Sequence, residues 1–338
     1  MLNSTGVKDY NDEMVDVASY FDLKKLLLER IKDNGGFVNA HAHLDRAYSL
    51  TEENFKFTNA TLQEKWDLND ELKQSSTVDD IYGRMEMGLE RMLEQGVQAV
   101  GTFIDVDEVI EDKAIRAADK LRDRYKSEIL IKFINQSHKG VLDPKARKWF
   151  DLGAEFVDII GGLPEKDKGR EDEHLDILLS TAKRMKKMAH VHIDQYNSPE
   201  QKGTELLARK VLEHDMKGMV AAIHSLSLAA HPKEYRQKVY SLMREADLMM
   251  VACPIAWIDS SRSEVLSPIH SSLTPVDELA PAGITVAIGT DNIVDIYKPF
   301  ANGDLWEDLH LMLEGCRYYE IDSLVEIATK NGLKVLGI

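Results

Sequence analysis

The stretch FVNAHAH, at residues 37–43, is a short apolar run that ends in two histidines separated by one residue. An apolar run of this length, bounded by glycine on one side, is typical of a buried β-strand. Because side chains alternate between the two faces of a strand, His41 and His43 are expected on the same face. The pair could therefore bind a single ion at the carboxyl end of this strand.

Apolar runs of similar length recur along the chain, each followed by a polar turn and a longer amphipathic stretch. Regular alternation of strands and helices predicts a parallel sheet. Eight such units favour an α/β fold of the closed (β/α)8, or TIM, barrel type, with a doubly wound open sheet as the alternative. No GxGxxG or GxxxxGK[ST] motif follows an early strand, which counts against the open sheet. The predicted strands span residues 37–43, 99–106, 129–135, 156–162, 189–194, 220–225, 248–254 and 285–291.

The chain is expected to form one large domain with a short extension. Residues 1–35 contain an acidic segment followed by YFDLKKLLLERIKDNGG, a pattern typical of a helix that ends at glycine. Residues 36–338 hold all of the predicted strands. The sequence therefore predicts an N-terminal helical extension, residues 1–35, and a barrel domain, residues 36–338.

Composition argues against several classes of function. The 338 residues carry a net charge of −16, which repels nucleic-acid phosphates and anionic membrane surfaces. No signal-peptide pattern and no run of about 18 apolar residues is found, so we expect a cytoplasmic protein without a membrane partner. Cys253 and Cys316 lack the spacing of a disulfide framework or a zinc knuckle and are expected to be core thiols. The expected partner is a small-molecule substrate, and a homo-oligomer remains open.

Further polar residues end other predicted strands: His192 the fifth, His224 the sixth and Asp291 the eighth. The carboxyl ends of all barrel strands open at one mouth, so these residues should meet His41 and His43 there. Imidazoles with one carboxylate suit zinc or ferrous iron, and an open coordination position can activate a water molecule. A lone strand histidine is more often a hydrogen-bonded structural residue. That interpretation applies to His174, His190, His214, His270 and His310, and it leaves His138 and His231 open.

Five stretches carry the histidines and the late aspartate: GFVNAHAHLDRAY, INQSHKG, HVHIDQ, AAIHSLS and AIGTDNIVDIYKPFANGDLWEDLHL. In order and spacing they resemble the strand ends of the amidohydrolase superfamily, from about residue 36 to residue 338. Among its members they are most similar to cytosine deaminase and its relatives. Softer matches to that branch are Trp66, Gln136 and Glu205.

The resemblance implies a role for each matching residue. His41, His43, His192 and Asp291 would bind one divalent metal ion, Zn²⁺ or Fe²⁺. His224 would hydrogen-bond the attacking hydroxide, and Asp291 would move its proton. The fourth predicted strand, FVDIIGG at residues 156–162, has no lysine of the kind that bridges two metals in binuclear members, so one metal is expected. Gln136 would contact an amide edge of the substrate. Further substrate contacts are expected from Trp66 in the long first loop and from Trp257 and Asn292 in the seventh and eighth loops, because loops at this face of a barrel commonly carry specificity.

The chain departs from the family at two points. Members commonly carry a small β-sandwich built from both chain ends, and this sequence predicts a barrel without one. In addition, Gln195 stands where the family has a catalytic glutamate that protonates a ring nitrogen. An amide does not titrate at neutral pH, and general acid–base catalysis is typically worth about 10² to 10⁴ in rate.

We therefore expect a hydrolase of a non-peptide C–N bond in a cyclic amide, amidine or nitrogen heterocycle. In it, Gln195 would belong to the catalytic site as a residue that reads the substrate by hydrogen bonds. Two alternatives stay open: a non-catalytic barrel that binds a metal and a ligand, and a lactonase- or phosphoesterase-type hydrolase with the same HxH motif.

Overall fold

The computed structural model describes residues 21–257 and 273–338. Eight strands within these residues form one sheet in chain order, and each neighbouring pair is parallel. The first and last strands meet through a bridge between Ala42 and Asp291. The predicted (β/α)8 barrel is thus confirmed. The strands are β1 Phe37–Ala42, β2 Val97–Asp105, β3 Leu130–Gln136, β4 Ile159–Gly162, β5 Met188–Ile193, β6 Val220–His224, β7 Met249–Ala252 and β8 Val286–Ile288.

Helices follow the strands and cover the outside of the barrel. Several begin at side-chain caps that the sequence supplies: Thr61 and Glu64 form a capping box, as do Thr77 and Asp80. The helices are α1 Leu23–Asp33, α2 Leu62–Ser75, α3 Val78–Glu94, α4 Lys113–Tyr125, α5 Pro144–Phe156, α6 Glu171–Met185, α7 Gly203–Glu213, α8 Lys233–Glu245, α9 Val276–Leu279, α10 Leu305–Cys316, α11 Ile321–Ala328 and α12 Lys330–Val335.

Three predicted strands, the fourth, the seventh and the eighth, are at least three residues shorter in the structure than in the sequence pattern. The fourth begins at Ile159 because α5 continues to Phe156. The eighth ends at Ile288, and Asp291 then turns into the left-handed region with φ 58°. At Gly289, a Cβ would lie 2.7 Å from the Cβ of His41, so glycine lets β8 approach β1 closely. This close approach places Asp291 beside the first histidine pair.

The core has two layers. One fills the barrel interior with small and branched side chains together with Phe103, Met188 and Met249, and it extends to Val335 and Leu336 at the end of helix α12. The other lies between the strands and the surrounding helices. Cys253 is buried and Cys316 is partly buried, and neither is in a disulfide. Within the described ranges, no helix has both the length and the hydropathy to cross a membrane.

Candidate active site

Four of the predicted residues converge at the carboxyl ends of the strands. His41 comes from β1 and His43 directly follows it, while His192 comes from β5 and Asp291 from the turn after β8. One possible ligand atom from each residue lies within 4.8 Å of the others. The Nε2 atoms of His41 and His43 lie 3.0 and 3.1 Å from the same oxygen, Oδ1 of Asp291. All four side chains are buried.

The electrostatics of this cluster favour a bound cation. Burial and the nearby Arg46 lower the pKa of His43 to about 3, so its imidazole is neutral. Burial also holds the pKa of His192 well below its ordinary value. Burial opposes ionisation of Asp291, yet its hydrogen bonds with His41 and His43 hold its pKa well below the usual range. Three nitrogen lone pairs and one carboxylate oxygen fit a divalent transition metal.

His224 lies beside the cluster at the end of β6, with Nε2 4.0 Å from Oδ2 of Asp291. Burial lowers the pKa of His224 to about 4, so its imidazole is neutral as well. His224 has φ 76° and Asp291 φ 58°, both in the left-handed region that residues other than glycine rarely adopt. Such a conformation costs about 1–3 kcal/mol per residue and is commonly found at functional sites.

A small cavity lies directly over these residues. Gln136, Trp66 and Asn292, which the sequence predicts to contact substrate, all line it, as does Gln195. The amide oxygen of Asn292 accepts a hydrogen bond from Arg46 at 3.3 Å. The side-chain oxygen of Gln136, Oε1, is buried without a hydrogen-bond partner among the described residues. The side chain of Trp257 lies outside the described residues.

The chain matches the model of the amidohydrolase family over residues 35–338. It belongs to this family. An uncharacterized protein of Haemophilus influenzae is 53% identical to it over 262 residues, which is 76% of this chain and 95% of that protein. The N-isopropylammelide isopropyl amidohydrolase of Pseudomonas sp. (strain ADP) is 27% identical over 317 residues, 90% of this chain and 74% of that protein.

Among solved structures, this amidohydrolase is similar to the 5-methylcytosine deaminase of Klebsiella pneumoniae liganded with 5-fluorocytosine. The TM-score is 0.82 at 25% sequence identity, covering 89% of this chain and 74% of that one. The comparisons confirm the resemblance to the amidohydrolase superfamily and to its cytosine deaminase-like members. They also confirm the expectation of a metal-dependent hydrolase that acts on C–N bonds other than peptide bonds.

The amidohydrolase cavity contains a further histidine, His138, which the sequence left open. Its Nδ1 lies 3.2 Å from the ammonium nitrogen of Lys73. An ammonium group only donates, so Nδ1 accepts and the hydrogen of the neutral ring is on Nε2. Trp66 stacks on the His138 ring with 6.3 Å between centroids. The sequence signal for His138 is its place in the chain, two residues after Gln136 at the end of β3.

A buried network of charges lies behind this wall of the cavity. Lys73 contacts Asp107 at 2.7 Å and Asp105 at 3.1 Å. The guanidinium of Arg46 lies 3.6 Å from the carboxylate of Asp105 and 3.8 Å from that of Asp295. Although burial opposes ionisation of Asp105, Lys73 is the main group that holds its pKa well below the usual range. The network thus keeps His138 and Arg46 in fixed positions at the cavity.

Gln195 follows β5 and contacts the carboxylate of Glu165, a residue that the sequence does not predict at the site. Its Nε2 donates to Oε2 of Glu165 at 3.1 Å, and Nε2 of Gln201 donates to Oε1 of Glu165 at 2.9 Å. Glu165 lies in the short 3-10 helix Pro164–Asp167 after β4. Burial, together with the charge of Asp194, raises the pKa of Glu165 to about 7.

Asp194 fixes the backbone just before Gln195. It has φ 53°, and its carboxylate accepts hydrogen bonds from the backbone N–H groups of Gly203 at 2.7 Å and Thr204 at 2.8 Å. Its own carbonyl accepts from the N–H of Leu226. These bonds tie the loop after β5 to the start of α7 and to the loop after β6.

The remaining histidines that the structure describes make structural contacts. His190 is buried and bonds the carbonyl of Val335 at 2.9 Å, while His231 bonds the carbonyl of Gln201 at 2.6 Å. His174 and His214 pair with aspartates, and His310 stacks on a tryptophan. Glu205, a softer match to the deaminase branch, pairs with Arg209 and Lys238. His270 lies outside the described residues.

Proposed function

We propose that this amidohydrolase holds one Zn²⁺ or Fe²⁺ ion with His41, His43, His192 and Asp291 and hydrolyses a non-peptide C–N bond of a small cyclic amide, amidine or nitrogen heterocycle. The observation that carries the proposal is the convergence of these four ligand atoms within 4.8 Å, next to His224. When bound, such an ion supplies a water molecule of lowered pKa, so that hydroxide forms near neutral pH.

The protein's own groups would manage the proton. Oδ1 of Asp291 faces His41 and His43, whereas Oδ2 faces His224 at 4.0 Å. Oδ2 is thus the oxygen that can take a proton from the attacking water and return it to the departing nitrogen. His224 would hydrogen-bond the attacking oxygen and keep it in line with the substrate carbon. One water is consumed, its oxygen bonds to carbon, and the nitrogen leaves with the proton.

The cavity walls would orient the ring. Trp66 offers a flat face, and Gln136 and Asn292 offer amide groups for hydrogen bonds with its polar edge. Gln195 would read the substrate by hydrogen bonds and not as an acid. Trp257 remains a predicted further contact. The proposal also includes cytoplasmic action without a nucleic-acid partner, which the net charge of −16 supports.

A hydrolase screen of the metal-loaded protein tests the proposal. It reads both ammonia or amine release and ring opening across lactams, cyclic ureas, amidines and aminopyrimidines. We expect turnover of at least one class, lost in His41→Ala and kept in His310→Ala, since His310 is exposed and lies on α10. Tight metal binding without turnover of any class would instead support the non-catalytic barrel, and turnover confined to lactones or phosphoesters would support the third alternative.

A further inference from the structure

The hydrogen bonds around Glu165 run in one direction. The backbone N–H of Tyr196 donates to Oε1 of Gln201 at 2.8 Å, which leaves the NH2 group of Gln201 to donate to Glu165 at 2.9 Å. An ionised carboxylate only accepts, so the group of Gln195 that faces Glu165 at 3.1 Å must also be its NH2. The backbone donor fixes the orientation of the Gln201 amide, and the ionised carboxylate of Glu165 fixes that of the Gln195 amide.

The other end of the Gln195 amide is its carbonyl oxygen. Gln195 lines the cavity over the metal ligands, and its Oε1 has no hydrogen-bond partner among the described residues. The amide thus turns an acceptor towards the substrate, at the position where the resemblance implies an acidic glutamate. A carboxylic acid there would donate a hydrogen, so the two groups have opposite polarity.

We propose that Glu165 is a positioning residue that fixes the carbonyl of Gln195 towards the cavity, and that the enzyme consequently takes rings whose nitrogen beside the reacting carbon carries a hydrogen, as in a lactam, cyclic imide or cyclic urea. This inference rests on the proposed function and specifies its substrate class. Rings that present a bare nitrogen at this position are disfavoured, because two acceptors then face each other.

The reaction chemistry is consistent with this selection. When water adds next to a bare ring nitrogen, an electron pair moves to that nitrogen, which must then take a proton that an amide cannot give. In a lactam-type ring the nitrogen already carries hydrogen, and the electron pair moves to the carbonyl oxygen instead. The C–N bond then breaks as the nitrogen takes the proton that Asp291 removed from water, which yields a carboxylic acid and an amine.

The near-isosteric variant Glu165→Gln reverses the chain of donors. Gln201 would then donate to the carbonyl of the new amide, whose NH2 must donate to Oε1 of Gln195, and the NH2 of Gln195 would turn to the cavity. Glu165→Ala removes the anchor without reversing it. Glu128→Gln is the matched control, because Glu128 is exposed and pairs with Arg124.

The test measures binding of two probes to the zinc-loaded protein by calorimetry at pH 8.5, where Glu165 is ionised. The probes are 2-pyridone, with a ring N–H beside its carbonyl, and 2-aminopyridine, with a bare ring nitrogen. Wild type and Glu128→Gln should bind 2-pyridone at least about tenfold more tightly. Glu165→Gln should reverse the preference, and Glu165→Ala should bring the two affinities within about threefold.

Each other outcome overturns the inference. If Glu165 had only a structural role, Glu165→Gln would weaken the binding of both probes equally and leave the ratio of their affinities unchanged. Equal affinity in wild type, or no binding of either probe, would also refute the assigned acceptor. Turnover in the hydrolase screen together with an unchanged ratio would leave the proposed function standing, whereas absence of turnover with a reversed ratio would refute only that function.

Discussion

Replacing Gln195 by glutamate restores the residue that the family resemblance implies, but it places a second carboxylate against Glu165. The two side chains are 3.1 Å apart at their closest polar atoms. At an effective dielectric constant of about 20, two unit charges at that separation repel by about 5 kcal/mol. Glu165 is part-buried, so solvent screening reduces the effect. We expect Gln195→Glu to lower the free energy of unfolding by about 2–4 kcal/mol at pH 8.5.

The stability that Gln195→Glu loses should return at low pH and in a compensating double variant. At pH 5.5 the pair can share one proton, so the variant should return to within about 1 kcal/mol of wild type. The double variant Gln195→Glu/Glu165→Gln swaps the two groups and keeps one charge, so it should be nearly as stable as wild type at both pH values. Urea unfolding followed by circular dichroism measures the free energy of unfolding of all three proteins.

The double variant Gln195→Glu/Glu165→Gln also tests whether an acid at position 195 restores deamination. Its new carboxyl faces the cavity beside an amide, so it should gain deamination of a cytosine-type compound, whereas Glu165→Gln alone should not. Equal destabilisation of Gln195→Glu and the double variant at both pH values would refute the contact between these side chains.

Three further predictions concern groups around the cavity. Glu165 has a pKa raised from 4.5 to about 7, so the folded state binds its proton more tightly than the unfolded chain and loses stability as pH rises through this range. Glu165→Gln should therefore remove about 2–3 kcal/mol of the stability difference between pH 5 and pH 8, measured by urea unfolding; an unchanged difference would contradict the raised pKa. Lys73→Met should lower the free energy of unfolding by about 3–5 kcal/mol, because it leaves Asp105 and Asp107 buried without their ammonium partner. A free energy within about 1 kcal/mol of wild type, measured by thermal unfolding, would argue against the network. His224→Ala should lower kcat by about 10² to 10⁴ with unchanged metal content, and loss of the metal instead would make His224 a ligand.

The parts of the site that the sequence predicts are those set by strand periodicity and barrel topology. Alternation along β1 and the residue after it places His41 and His43 on one face, and the shared mouth of a parallel barrel brings His192 and Asp291 to them. The same reasoning places Gln136 at the cavity, because it ends β3.

The contacts that the sequence does not predict depend on loop geometry. Glu165 reaches Gln195 because Asp194 adopts a left-handed conformation and a short 3-10 helix turns the chain after β4. Neither feature has a periodic pattern, and the two side chains are 30 positions apart. His138 gains its role from Lys73 on α2, a contact across 65 positions. Glu205 matched the family pattern by position, yet its partners are surface cations.

The central claim is a single metal ion held by four protein ligands, and the metal content of the purified protein tests it most directly. Inductively coupled plasma mass spectrometry should find one zinc or iron per chain in wild type and in His310→Ala. His41→Ala should lose tight binding, because it removes one of four ligands that lie within 4.8 Å of one another. Two metals per chain, or an unchanged content in His41→Ala, would contradict the account.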